Sequence, residues 1–304
     1  MLSRALGCLV LLAVLAGCTP AAPDDAAPDI FTEGTVKANS IEFDGLTRSY
    51  LVHEPAEPPP GQLLPLLIVF HGAGGDAVRA ETATGFTADA NDDNFIVAYP
   101  NGTPANDVEG ELSWNAGECC GLAKTNNLDD VGFVMAMIAE LEAEHPVDPA
   151  RVYLAGFSNG GMLSYRLACT HGDQFAGIAV VGGALNFSPC EPPGPVNVLI
   201  MHGTSDATVP YGGGPTNDRT AARFGQWHNT SVEYATRFWT ENDNCELDPV
   251  STSEDPLATD SYLDCTLGSR VEVATIAGGT HTWPRIETSG VDASELILEF
   301  LALN

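Results

Sequence analysis

Positive charge is what this sequence has least of. Twelve Lys and Arg stand against 41 Asp and Glu, a formal net charge of −29. Phosphate binding needs clustered cations, so nucleic acid is excluded as a partner. Anionic polymers are repelled for the same reason, and the charge is read as a solvated acidic surface. Long hydrophobic runs are also missing. The most apolar stretch, residues 6–16, is too short to cross a bilayer as a permanent helix. No C-x-x-C, H-E-x-x-H or G-x-G-x-x-G occurs, so neither a metal nor an organic cofactor is expected. No internal repeat and no second domain are visible.

The N-terminus is set aside from the fold. Residues 1–17 read as a signal peptide, with Arg4 as the charged start and residues 6–16 as its apolar core. The run ends in Leu15-Ala16-Gly17-Cys18, which resembles a bacterial lipobox with Cys18 as the lipidated first residue of the mature chain. Residues 18–34 are then a lipidated N-terminus and a flexible tether rich in Pro, Ala and Asp. The expected location is extracellular or cell envelope, anchored to a membrane by lipid alone. Thr19 after Cys18, rather than Asp, favours the outer membrane. Residues 35–304 are expected to form a single domain, taken as a monomer.

Eight Cys agree with export. Cys8 leaves with the signal and Cys18 carries lipid, which leaves six. Cys169–Cys190 and Cys245–Cys265 each bracket one αβ stretch. Each closes a loop of about 20 residues, worth roughly 3 kcal/mol in the loop-entropy treatment. Cys119 and Cys120 then have only each other.

Residues 35–53 read as a hairpin about Asp44-Gly45, a favoured two-residue turn. Short apolar runs follow at 66–70, 95–99, 151–155, 177–181, 197–201 and 271–276. Continuous apolar strands imply burial on both faces, as in a parallel sheet covered by helices. Helical patterns lie at 129–144, 159–169, 231–242 and 292–302, the last after Asp292 as N-cap. The fold class is α/β, with a mostly parallel central sheet flanked by helices and an antiparallel N-terminal hairpin.

Gly156-Phe157-Ser158-Asn159-Gly160 is a G-x-S-x-G placed between a strand and a helix, the setting of a nucleophile elbow. Ser158 is the expected nucleophile, and a serine needs a base to take its proton. Of seven His, His281 lies after the last strand and before the last helix, where this architecture delivers a base. His71 and His202 end strands and are read as structural. Asp206 follows strand 197–201 and would orient the base. The order Ser, Asp, His fits the same fold. The oxyanion hole is assigned to the N–H of Asn159 and of Ala73, the latter in the glycine-rich His71-Gly72-Ala73-Gly74-Gly75. Asp129 and Asp130 are read as helix N-capping residues.

GFSNGGM, HGTSDATVPYGGG, GGTHTWP and the stretch Ser113-Trp114-Asn115 to Asp129-Asp130 together resemble the polyhydroxybutyrate depolymerase and feruloyl esterase family of α/β-hydrolases. The resemblance runs from about residue 45 onward. It implies the α/β-hydrolase fold, the triad Ser158, Asp206 and His281, and a cleft near Trp114 and Cys119–Cys120. Trp114 and Trp283 are carried forward as substrate contacts, although all four Trp would also serve as core aromatics. The expected activity is hydrolysis of feruloyl, short-acyl or polyhydroxyalkanoate-type esters, polymer-linked or small, through an acyl-enzyme. A peptidase of the same fold and a non-catalytic surface-binding lipoprotein are the alternatives. Residues 211–230, polar and Gly-rich, suggest an open rim suited to an ester on a bulky, neutral polymer, and no long apolar lid segment is visible.

Overall fold

The structure is a computed structural model that describes residues 36–303. Residues 1–34, which include the expected signal peptide, Cys18 and the expected tether, lie outside the described residues.

Ten strands form one sheet: β1 (Lys37–Phe43), β2 (Leu46–His53), β3 (Leu64–Phe70), β4 (Ile96–Pro100), β5 (Val147–Phe157), β6 (Gly177–Val181), β7 (Asn197–Gly203), β8 (Val250–Glu254), β9 (Leu257–Tyr262) and β10 (Val271–Ile276). Their spatial order is β1-β2-β4-β3-β5-β6-β7-β10-β9-β8. The six strands from β4 to β10 in that order are parallel, and an antiparallel pair closes each edge. The N-terminal hairpin turns on Asp44 (φ 49°) and Gly45 (φ 74°), the double left-handed turn that matches strand twist.

Both faces of the parallel strands are buried, which explains their unbroken apolar sequence. In β3, Leu64, Leu66, Ile68 and Phe70 face one core, and Leu67 and Val69 the other. The first core is covered by α3 (Asp130–Glu144), α4 (Asn159–His171) and α6 (Val232–Asn242). The second is covered by α1 (Ala77–Thr84), α2 (Phe86–Asp93) and α7 (Ala293–Leu301). The α/β-hydrolase fold expected from the sequence is the one observed.

Asp129 caps α3 through Gly132 N–H, as expected. Asp130 does something else. Fully buried, it accepts from the Arg48 guanidinium at 2.6 Å and from Asn115 N–H at 2.7 Å. Burial pushes its carboxyl up, and Arg48 together with that N–H pulls it back. The ion pair ties β2 and α3 to the segment carrying Trp114. Arg166 completes the anchorage by donating to Asn115 O at 2.6 Å. The structure joins Cys169 to Cys190, Cys245 to Cys265, and Cys119 to Cys120.

Candidate active site

Ser158 sits at the sharp turn between β5 and α4, with φ 55° and ψ −120°. A non-glycine residue at positive φ is strained, and here the chain holds it from both sides. Ser158 N–H donates to Val181 O at 2.8 Å, and Ser158 O accepts from Met162 N–H at 2.9 Å. The turn is tight enough to require its glycines. A Cβ on Gly156 would run into the Gly160 backbone, and one on Gly160 into Phe70 O. The hydroxyl is thereby lifted to the carboxyl ends of the strands.

Two more loops converge there. The one after β7 carries Asp206 and the one after β10 carries His281. They are laced together by Ser205 N–H to Gly279 O at 2.9 Å and Gly278 N–H to Thr204 Oγ1 at 2.8 Å. His281 Nε2 lies 2.9 Å from Ser158 Oγ, and His281 Nδ1 lies 2.7 Å from Asp206 Oδ2. The Phe157 ring packs on the imidazole, centroids 4.8 Å apart. Asp206 is buried, and burial alone would raise its carboxyl. Hydrogen bonds from His202, His281 and Val209 N–H, with the electrostatic pull of His281, outweigh that, so it stays ionised well below the usual carboxylate range. Thr208 N–H and Val209 N–H grip its Oδ1 at 2.8 and 2.9 Å. Charge, position and orientation of this acid are all fixed.

His202 and His71 have structural partners. His202 Nε2 donates to Val209 O at 2.8 Å. His71 Nδ1 donates to Gly72 O at 2.8 Å, and its Nε2 accepts Gly102 N–H at 3.0 Å. Those two bonds require a neutral ring, and burial pushes His71 down to about 4. The ring pins the loop carrying Ala73. Gly75 N–H to Gly72 O at 2.9 Å and Gly74 N–H to Leu112 O at 2.7 Å hold the rest. The Ala73 N–H engages no other described residue. Asn159, first in α4, has no carbonyl one turn earlier for its own N–H.

Trp114 does not face the cleft. Its side chain is completely buried, and its indole N–H donates to His71 O at 3.0 Å. The Asn159 carboxamide grips the Trp114 backbone on both sides, accepting from its N–H at 2.8 Å and donating to its C=O at 3.1 Å. The expected substrate contact is therefore corrected. Trp114 is a strut between the two segments bearing the Ala73 and Asn159 N–H groups. A Trp in an irregular segment shows no periodicity that would separate these roles. Trp283 is largely buried as well, but part of it borders a cavity. It lines this space of about 230 Å³ with Phe157, Ala80 and Ala83, its N–H held by Ser294 Oγ at 3.1 Å.

Residues 52–241 match the abhydrolase family described as phospholipase/carboxylesterase. The chain belongs to that family. It is 33% identical to NocK of Nocardia uniformis subsp. tsuyamanensis, provisionally named an esterase, over 92% of this chain and 88% of that one. Feruloyl esterase B of Piromyces equi is 30% identical over 71% of the chain, and poly(3-hydroxyalkanoate) depolymerase C of Paucimonas lemoignei 31% over 39%. The chain spans only 39% and 28% of those two relatives' own lengths. Acetyl xylan esterase from Aspergillus awamori superposes with a TM-score of 0.62 at 13% identity, over 88% of this chain and 100% of that one, a likeness of fold alone.

The site has one wall that the sequence does not reveal. Residues 211–230 read as an open rim, yet they build a short ladder, Gly214–Pro215 against His228–Asn229, and the helix α5 (Asp218–Phe224). Phe224 and Trp227 are buried and line a cavity of about 350 Å³ with Ser158 and His281. The Trp227 indole N–H is held by Asn229 Oδ1 at 2.8 Å. The signal available was the pair Phe224 and Trp227 three residues apart in an otherwise polar stretch.

Proposed function

We infer that this esterase is a serine carboxylic-ester hydrolase working through an acyl-enzyme, with Ser158 as nucleophile, His281 as base and Asp206 as orienting acid. The observation carrying the reading is the unbroken hydrogen-bonded chain Asp206–His281–Ser158 opening onto a cavity. Asp206 accepts the His281 Nδ1 proton and leaves Nε2 free to take the serine proton. Ser158 Oγ attacks the ester carbonyl, and the resulting oxyanion is met by the N–H groups of Ala73 and Asn159. His281 returns the proton to the leaving alcohol. Water, activated by the same His281, then releases the acid. No step calls for a metal or an organic cofactor.

The substrates proposed are feruloyl or other short-acyl esters, or a polyhydroxyalkanoate-type polyester. The names of the relatives and the wide cavity beside Ser158 support both. The protein is proposed to be exported as a monomer, to carry lipid at Cys18, and to meet the membrane through that anchor alone. Three disulfides suit an oxidising compartment. The test is an ester panel: methyl ferulate, short p-nitrophenyl esters, polyhydroxybutyrate particles and long-chain triglycerides. Aromatic and short aliphatic esters should be cleaved fastest. A panel led by long-chain lipids would refute the reading. Intact mass of the native protein without an acyl chain would refute the anchor.

A further inference from the structure

An ester has two arms, and two cavities meet at the ridge formed by Gly72, Ala73 and Phe157. The larger contains Ser158 and His281; the smaller contains neither. His281 must come within hydrogen-bond reach of the leaving oxygen to protonate it. The alcohol therefore occupies the larger cavity. An acyl arm extended away from that alcohol would cross the ridge toward Trp283, Ala80 and Ala83.

The two spaces differ in chemistry. The acyl side is walled mainly by apolar side chains, and its one arginine, Arg79, is held by Asp76 and by Gly74 O. The alcohol side presents Asn217, Thr220 and Arg219. Among the described residues, every basic side chain except Lys37 and Arg219 is held by a carboxylate or a backbone carbonyl. The neighbouring Arg223, on the same cavity, is paired with Glu111 and lies over Phe224. Arg219 is exposed and uncommitted, and its sequence neighbour Asp218 does not line the cavity. A chain with a net charge of −29 thus keeps one of its two free described cations beside its nucleophile.

We propose that Arg219 makes the alcohol cavity a site for esters whose leaving alcohol bears a free carboxylate, such as the acid end of a hydroxyacid oligomer. The proposal rests on the triad assignment above. Ser158 Oγ bonds to the carbonyl carbon and the bond from that carbon to the alcohol oxygen breaks. The serine proton passes through His281 to the departing oxygen, and water then cleaves the acyl-enzyme. The products are a carboxylic acid and a hydroxy acid whose own carboxylate, paired with Arg219, is unchanged throughout. The global acidity repels such a substrate at long range, while Arg219 rewards it at contact.

The test uses the full chain at low ionic strength and compares kcat/KM for the butyrate ester of beta-hydroxybutyrate with that of its neutral amide. Arg219→Gln should lower the anion-to-neutral ratio about fivefold, the upper end for a solvent-exposed ion pair, and Arg219→Glu should lower it further. Lys37→Gln, the other free cation, should leave the ratio as in wild type. For monoethyl succinate, where the carboxylate sits on the acyl arm, Arg219→Gln should leave the ratio to its amide unmoved. A ratio within about twofold of wild type in Arg219→Gln overturns the proposal. So does an equal shift in Lys37→Gln, or a shift confined to the succinate. Failure of the triad reading looks different: Ser158→Ala would still cleave the neutral amide ester.

Discussion

Trp114→Phe separates two roles that a buried tryptophan beside an active site can have. The substitution keeps an aromatic ring in a fully buried slot and removes the indole N–H that donates to His71 O at 3.0 Å. Two costs follow. The His71 carbonyl loses this partner inside the protein, worth about 1–3 kcal/mol of stability, with a further contribution from the smaller ring. The loop bearing the Ala73 N–H also loses its strut to the Asn159 side. Complete loss of one oxyanion donor costs roughly 2.7–4 kcal/mol in the transition state. A loop that slackens but keeps its His71 and Leu112 bonds should forfeit about a third of that, or about five- to tenfold in kcat. The oxyanion exists only in the transition state, so KM should barely move. Steady-state kinetics on p-nitrophenyl butyrate, with thermal unfolding alongside, reads both effects. A raised KM at unchanged kcat would mean that Trp114 touches substrate. An unchanged kcat with only a lowered Tm would mean that it merely fills the core. Either result refutes the strut.

Other consequences are as direct. Asp130→Ala leaves Arg48 buried without its carboxylate and should cost about 3–5 kcal/mol in chemical denaturation. Asp89 is pushed up to about 6 by burial and by Asp93, Asp292 and Asp92. Its folded form binds the proton more tightly than the unfolded chain, so its contribution to stability falls as pH rises from about 4 to about 6. Asp89→Asn should therefore stabilise by about 1 kcal/mol above pH ~6, after discounting for solvent screening, and by nothing at pH ~4, read as Tm against pH. Ala83→Leu narrows the acyl cavity and should lower kcat/KM for methyl ferulate about tenfold relative to an acetyl ester.

The parts of the fold legible in the sequence are those where one requirement dominates. Strands buried on both faces must be apolar throughout, so β3 to β7 and β10 stand out. The elbow needs glycines around Ser158, and the turn after β1 needs Asp44-Gly45. The hairpin β8–β9 is not legible, because Val-Ser-Thr-Ser-Glu is exposed along its whole length and carries no alternation. Helices α1 and α2 are rich in Ala, Thr and Asp, and their apolar face is thin. In the site, Ser158, Asp206 and His281 are legible because their positions follow from strand ends. Trp114, Trp227 and Arg219 are not. Their roles depend on which segment folds over which, and nothing local distinguishes a strut from a contact or a free cation from a paired one.

The central claim is that Ser158, activated by His281, forms a covalent intermediate. A fluorophosphonate probe followed by peptide mapping tests it most directly. The account predicts one adduct, on Ser158, that forms rapidly in the wild type, is absent in a folded Ser158→Ala protein and forms orders of magnitude more slowly in His281→Ala. An adduct on another residue, or equal labelling of wild type and Ser158→Ala, would contradict it.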